Sequence, residues 1–104
     1  MRLELGDGTV TDNPDEKAIE NAFERVVGMS DKFVILSVND LTYMQSSTAG
    51  DGLFDLEYQL GNAHQHYRCT DESLTQQQVV EVFCRFVRRE PDWNGTLQWK
   101  HMRL

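Results

Sequence analysis

The stretch Phe54-Asp55-Leu56-Glu57-Tyr58-Gln59-Leu60-Gly61-Asn62-Ala63-His64-Gln65-His66-Tyr67-Arg68-Cys69 decides the fold. Its first seven residues alternate apolar and polar, the period of a strand with one buried face, so Phe54, Leu56, Tyr58 and Leu60 are expected to point inward. Gly61-Asn62 is a two-residue loop of the kind that closes tight hairpins. Folding the chain there sets Leu60 opposite Ala63, Tyr58 opposite Gln65, Leu56 opposite Tyr67 and Phe54 opposite Cys69. On the other face the same register sets Gln59 opposite His64, Glu57 opposite His66 and Asp55 opposite Arg68, two of them complementary ionic pairs. The frame is an antiparallel sheet.

Upstream, Phe33-Val34-Ile35-Leu36-Ser37 is a short apolar run, Val38-Asn39-Asp40 a turn, and Leu41-Thr42-Tyr43-Met44-Gln45 its returning strand. Thr48-Ala49-Gly50-Asp51-Gly52 is a second loop. Downstream, Thr75 is an N-cap with Gln78 as its reciprocal partner, Leu74 is placed to staple onto Val79, and Val79, Val80, Phe83, Phe86 and Val87 form a buried helical stripe. Arg85, Arg88 and Arg89 sit where the helix dipole favours cations, and Pro91 ends the helix. Trp93-Asn94-Gly95 then turns the chain into a last strand, Thr96-Leu97-Gln98-Trp99-Lys100, in which Trp99 is expected in the core.

At the N-terminal side, Arg2 to Leu5 reads as a short strand and Gly6-Asp7-Gly8 as a turn. A helix follows, with Asn13 as N-cap, Pro14 in its first position, Glu16 as capping-box partner, Ala18, Ile19, Ala22, Phe23, Val26 and Val27 at helical spacing, and Gly28 as stop. The order β-α-β-β-β-β-α-β predicts an α+β fold, an antiparallel sheet of about five to six strands with two helices packed on one face. At 104 residues the chain has room for a single domain, 1–104, with one core.

Composition narrows the function classes. The chain is 39% hydrophobic and 10% aromatic, rich enough to fold unaided. It contains two cysteines, Cys69 and Cys84, both in apolar patterns and not in a C-x-x-C arrangement, which reads as buried thiols rather than a disulfide framework. No apolar run reaches membrane-spanning length, and Met1-Arg2-Leu3-Glu4-Leu5-Gly6-Asp7 lacks a secretory core, so a cytoplasmic protein of bacterial type is expected. The formal charge of −7 is uneven: −5 over residues 1–31, −4 over 32–72 and +2 over 73–104. Such a surface repels phosphate backbones and anionic membranes and steers basic partners, although net acid also serves solubility alone.

Glu16, Glu20 and Glu24 follow one another at i, i+4 and i+8, where like charges repel slightly. They offer a landing row for a basic partner, or an ordinary solvated face with Glu16 near the positive helix end. His64-x-His66 on a strand with Glu57 opposite could hold a metal such as zinc, or be plain surface residues lacking the outer hydrogen bonds that orient metal-bound histidines. Trp93, in a turn, is a candidate interface anchor. Ser46-Ser47 is not in G-x-S-x-G, no His is expected beside Cys84, and Gly50-x-Gly52 is too short to cradle phosphate, so neither an active site nor a cofactor is assigned.

Phe33-Val34-Ile35-Leu36-Ser37, Leu41-Thr42-Tyr43, Leu56-Glu57-Tyr58, His66-Tyr67-Arg68, the closing helix with Trp93, and Leu97-Gln98-Trp99 together resemble the pattern of small bacterial immunity-type α+β domains, over roughly residues 33–102. The resemblance implies toxin neutralisation by binding through an acidic surface, with Glu16, Glu20, Glu24, Asp55 and Glu57 as contact residues. The rival expectations are a metal-dependent protein centred on His64, His66 and Glu57, and a homodimeric structural module joined through a sheet edge.

Overall fold

The structure is a computed structural model and describes residues 1–49 and 51–103. The chain runs β1 (Arg2–Leu5), β2 (Val10–Asp12), α1 (Glu16–Val26), β3 (Phe33–Asn39), β4 (Thr42–Ser47), β5 (Leu53–Phe54), β6 (Glu57–Gln59), a 3-10 turn (Ala63–Gln65), β7 (His66–Cys69), β8 (Leu74–Thr75), α2 (Gln76–Val87) and β9 (Trp99–Met102). The α+β class holds, but the sheet is larger than expected: seven antiparallel strands in the order β2-β1-β3-β4-β6-β7-β9, with β5 and β8 forming a separate pair.

The core lies between one sheet face and the helices. Leu3, Leu5, Val34, Leu36 and Met44 from the sheet meet Ile19, Phe23 and Val26 of α1 and Val79, Val82, Phe83 and Phe86 of α2. Phe23 stands at the centre, edge-on to Phe83 at 4.9 Å and to Phe54 at 5.5 Å between ring centroids. Burying a ring of this size contributes about 2–3 kcal/mol, with more from the edge-to-face geometry.

α2 forms as its sequence dictates. The Thr75 hydroxyl accepts from the Gln78 N–H at 3.2 Å while the Gln78 side-chain oxygen accepts from the Thr75 N–H at 2.8 Å, a complete capping box. Its C-terminus closes by a Schellman motif: the Glu90 N–H reaches the Arg85 carbonyl at 3.2 Å and the Arg89 N–H the Phe86 carbonyl at 3.0 Å. Arg89 occupies the left-handed position, φ 58°, where glycine is usual.

Four local expectations are corrected. α1 begins two residues later than Asn13 would place it: Asp15 is the N-cap, accepting from the Ala18 N–H at 2.8 Å, and Asn13 sits at φ 50° with its N–H bonded to the Met1 carbonyl. The Asn13–Glu16 capping box therefore does not form. β2 is an added edge strand, closed onto β1 through the Gly6–Thr9 turn, where the Thr9 N–H donates to Asp7 at 2.9 Å. The strand expected over 54–60 breaks after Phe54, which pairs with Leu74 in the small sheet, and Leu60 is exposed rather than inward. Last, β9 starts three residues beyond its expected start at Thr96, and Trp99 is half-buried, its indole N–H donating to the Asn94 carbonyl at 2.8 Å. Gly50, expected in the loop after β4, lies outside the described residues.

The β6–β7 register also differs. Glu57 faces Arg68, Tyr58 faces Tyr67 and Gln59 faces His66, two residues from the expected pairing. Asn62 does not serve as a two-residue turn; its side chain caps the 3-10 turn by accepting from the His64 N–H at 2.9 Å, and Leu60 N–H to Gln65 carbonyl at 3.0 Å closes the longer loop. A shift by two keeps the pleat's parity, so Glu57, Gln59, His66 and Arg68 remain on the face opposite the core.

Candidate functional site

With both helices on one side, the other sheet face carries no helix. Side chains stand on it in register across all seven strands. Asp12, Arg2, Ser37, Tyr43, Gln59, His66 and Met102 form one row, and Val10, Glu4, Ile35, Gln45, Glu57, Arg68 and Lys100 the next. Cross-strand neighbours at this spacing touch, and here they are mostly polar.

Gln59 organises the middle of the face. Its amide nitrogen donates to the Leu41 carbonyl at 3.1 Å, so its oxygen is the acceptor, taking His66 Nδ1–H at 3.1 Å and the Tyr43 hydroxyl at 3.5 Å. That requires a proton on Nδ1 of His66, and Nε2 lies 3.5 Å from Glu57 Oε2, a contact that is an ion pair when Nε2 carries a proton as well. Glu57 accepts a hydrogen bond from the Gln45 amide nitrogen at 2.6 Å. Arg68 then spans three carboxylates, Asp55 at 3.4 Å, Glu57 at 3.7 Å and Glu72 at 3.3 Å. Asp55 is further fixed by the Ser47 N–H at 2.8 Å and the Ser47 hydroxyl. His66 and Gln59 are only 5% and 6% exposed, because these neighbours cover them.

The chemistry of this network is that of a satisfied scaffold. Burial, and then the Glu57 carboxylate, push the Tyr43 phenol up, so it stays protonated and donates. Among the described residues every buried side-chain nitrogen or oxygen has a hydrogen-bond partner. Arg68, within reach of Asp55, Glu57 and Glu72, offsets one of their three charges.

The predicted metal residues are not brought together as expected. His66 and Glu57 do meet, as a diagonal pair rather than direct opposites, and Asp55 and Arg68 likewise. His64 lies off the strand in the 3-10 turn, exposed, with its carbonyl accepting from His101 Nε2–H. Among the described residues no group of three or more His, Cys, Asp or Glu side chains is placed to share a metal ion.

The partner-binding candidates separate onto opposite sides. Asp55 and Glu57 are on the uncovered sheet face, whereas Glu16, Glu20 and Glu24 lie along the exposed side of α1, beyond the core. Glu16 is ion-paired with Arg88 of α2. Glu20 and Glu24 have no ion-pair partner among the described residues. Trp93 is half-buried and packs edge-on against Tyr58 at 4.7 Å and Phe86 at 5.0 Å, so much of its ring is structural. Cys69 and Cys84 are free and buried, with their thiols pushed up by burial; for Cys84 the nearby Glu16 adds to this and the value rises to about 11. Neither is an activated nucleophile.

No family model, curated protein or solved structure matches this chain. The functional reading therefore rests on its own geometry. What the sequence did not reveal is the Gln59-centred network: glutamine carries no motif, and its role emerges only when the register sets it between Tyr43 and His66.

Proposed function

We propose that the chain is a non-catalytic binding domain that engages a basic protein through the outer side of α1, with neutralisation of a toxin, as the immunity-type resemblance implies, its most specific form. The observation that carries this reading is the separation of the acidic candidates into engaged and free. Arg68 and Arg88 occupy Asp55, Glu57 and Glu16, whereas Glu20 and Glu24 are exposed one turn apart without a counter-ion among the described residues. A net charge of −7 draws a basic partner toward that surface and opposes nucleic acid and anionic lipid. Two reduced, buried cysteines suit a cytoplasmic setting, and no described helix is long and apolar enough to cross a membrane.

The test is retention of a basic protein from extracts of the source cells at low salt. The expected result is a partner released by raised salt and lost when Glu20→Lys and Glu24→Lys are combined, but kept by Asp55→Asn with Glu57→Gln. If no basic protein is retained, or if the α1 double variant retains it unchanged, the reading fails.

A further inference from the structure

Between the β3–β4 turn and the C-terminal end of α2 lies an open cavity of about 290 Å³. Val38, Phe86, Pro91 and Trp93 supply an apolar wall, and Arg89 and Glu90 its charged rim. The wall is fixed, because the Trp93 ring is held edge-on by Phe86 at 5.0 Å and by Tyr58 at 4.7 Å on the core side.

The rim is not neutral. Glu90 is already bound to Arg88, whose Nε lies 2.6 Å from its carboxylate. Arg89 has no ion-pair partner among the described residues, and its backbone is pinned by the Schellman hydrogen bonds at φ 58°. An unstrained alternative, glycine, exists for that position, and backbone strain of this kind clusters at binding sites. The cavity thus pairs a rigid aromatic wall with one uncommitted guanidinium, a group whose planar fork suits a carboxylate.

We infer that this cavity binds a small carboxylate bearing one apolar or aromatic group, the ring against Trp93 and Phe86 and the carboxylate on Arg89. The volume falls at the lower end of ligand pockets, about 300–1,000 Å³, which limits the occupant to roughly one amino-acid side chain. The C-terminal residue of a peptide presents the same chemistry as a free acid. This site is independent of the α1 surface and of the function proposed for it.

Titration followed by amide and indole N–H chemical shifts tests it, with N-acetylphenylalanine, its neutral amide, and a short peptide ending in free phenylalanine as probes. N-acetylphenylalanine is expected to give saturable shifts at Val38, Arg89 and the Trp93 indole, and about tenfold weaker binding for the amide and for Arg89→Gln. Binding of the peptide as well would mean that chain ends are admitted, and its exclusion that only free acids are. Arg89→Gly keeps the fold, since glycine favours this conformation, and is expected to lose the carboxylate preference. Absence of saturable shifts at these residues, equal affinity for acid and amide, or undiminished affinity in Arg89→Gly would overturn the assignment.

Discussion

Gly6 packs against the backbone of Asp31 so closely that a Cβ at position 6 would stand 1.7 Å from the Asp31 carbonyl oxygen. The contact ties the β1–β2 turn to the loop after α1, and the Gly6 N–H donates to the Phe33 carbonyl at 3.1 Å beside it. Because the opposing atom is backbone, a methyl group cannot be accommodated by a rotamer change. Gly6→Ala is expected to cost about 2–4 kcal/mol in urea denaturation, the range of enforced backbone clashes. Gly8→Ala is the control: position 8 has φ 89° and open space around it, so only conformational strain of about 1 kcal/mol is expected. Equal losses for the two variants would show that the close approach at Gly6 does not matter.

Arg68 holds Asp55 and Glu57, both half-buried, and Glu72. Removing it leaves two partly desolvated carboxylates, two residues apart on one face, without their shared cation, so Arg68→Ala is expected to destabilise by about 1–2 kcal/mol, more than loss of an exposed ion pair would. Adding Asp55→Asn and Glu57→Gln should recover part of that loss, measured as the interaction energy of a mutant cycle. No recovery would mean that Arg68 acts by packing its aliphatic stem alone.

Cys84 should make the fold sensitive to alkali. Burial, helped by Glu16, favours its neutral thiol in the folded state, raising it from 9.0 to about 11. For a raised thiol the stabilisation is complete below the unfolded value and is lost as pH rises through the folded one, so stability should fall between about pH 9 and 11. Denaturation across that window should show a flatter alkaline limb for Cys84→Ala. At neutral pH both cysteines should react with iodoacetamide about tenfold or more slowly than in urea, as protonated buried thiols do; rapid native alkylation of Cys84 would contradict its placement.

The sequence was most legible where one residue does one job. Thr75 and Gln78 form the capping box that their spacing announces, and the buried stripe of α2 includes Val79, Phe83 and Phe86 as expected, with Val80 and Val87 partly buried at its margin. Legibility failed where residues have two uses. Asn62 can make a tight turn or cap a 3-10 turn, and the second wins because it lengthens the loop without flipping the sheet's faces. Asn13 and Asp15 are both good N-caps by type, but Asn13 stands in the left-handed region at φ 50°, whereas Asp15 has the extended backbone an N-cap takes. β2 was invisible because three edge residues show no period. At the candidate site, the contacts His66–Glu57 and Asp55–Arg68 were foreseen from the wrong register, since diagonal neighbours on one face also touch. The neutralisation of Glu16 by Arg88 was not, because it joins residues from different helices.

The arginine at the left-handed end of α2 has a bearing on how this chain has been selected. A residue with a Cβ costs about 1 kcal/mol there relative to glycine, and a single codon change would recover it. Natural sequences sit just above a stability threshold rather than at an optimum, so a residue costing this little persists in one sequence without selection, whereas its retention across many would need a second demand. Position 89 is therefore where a comparison of natural variants would be most informative: arginine retained beside Phe86 and Trp93 would record a pressure that thermodynamic stability does not supply, and glycine there would record its absence.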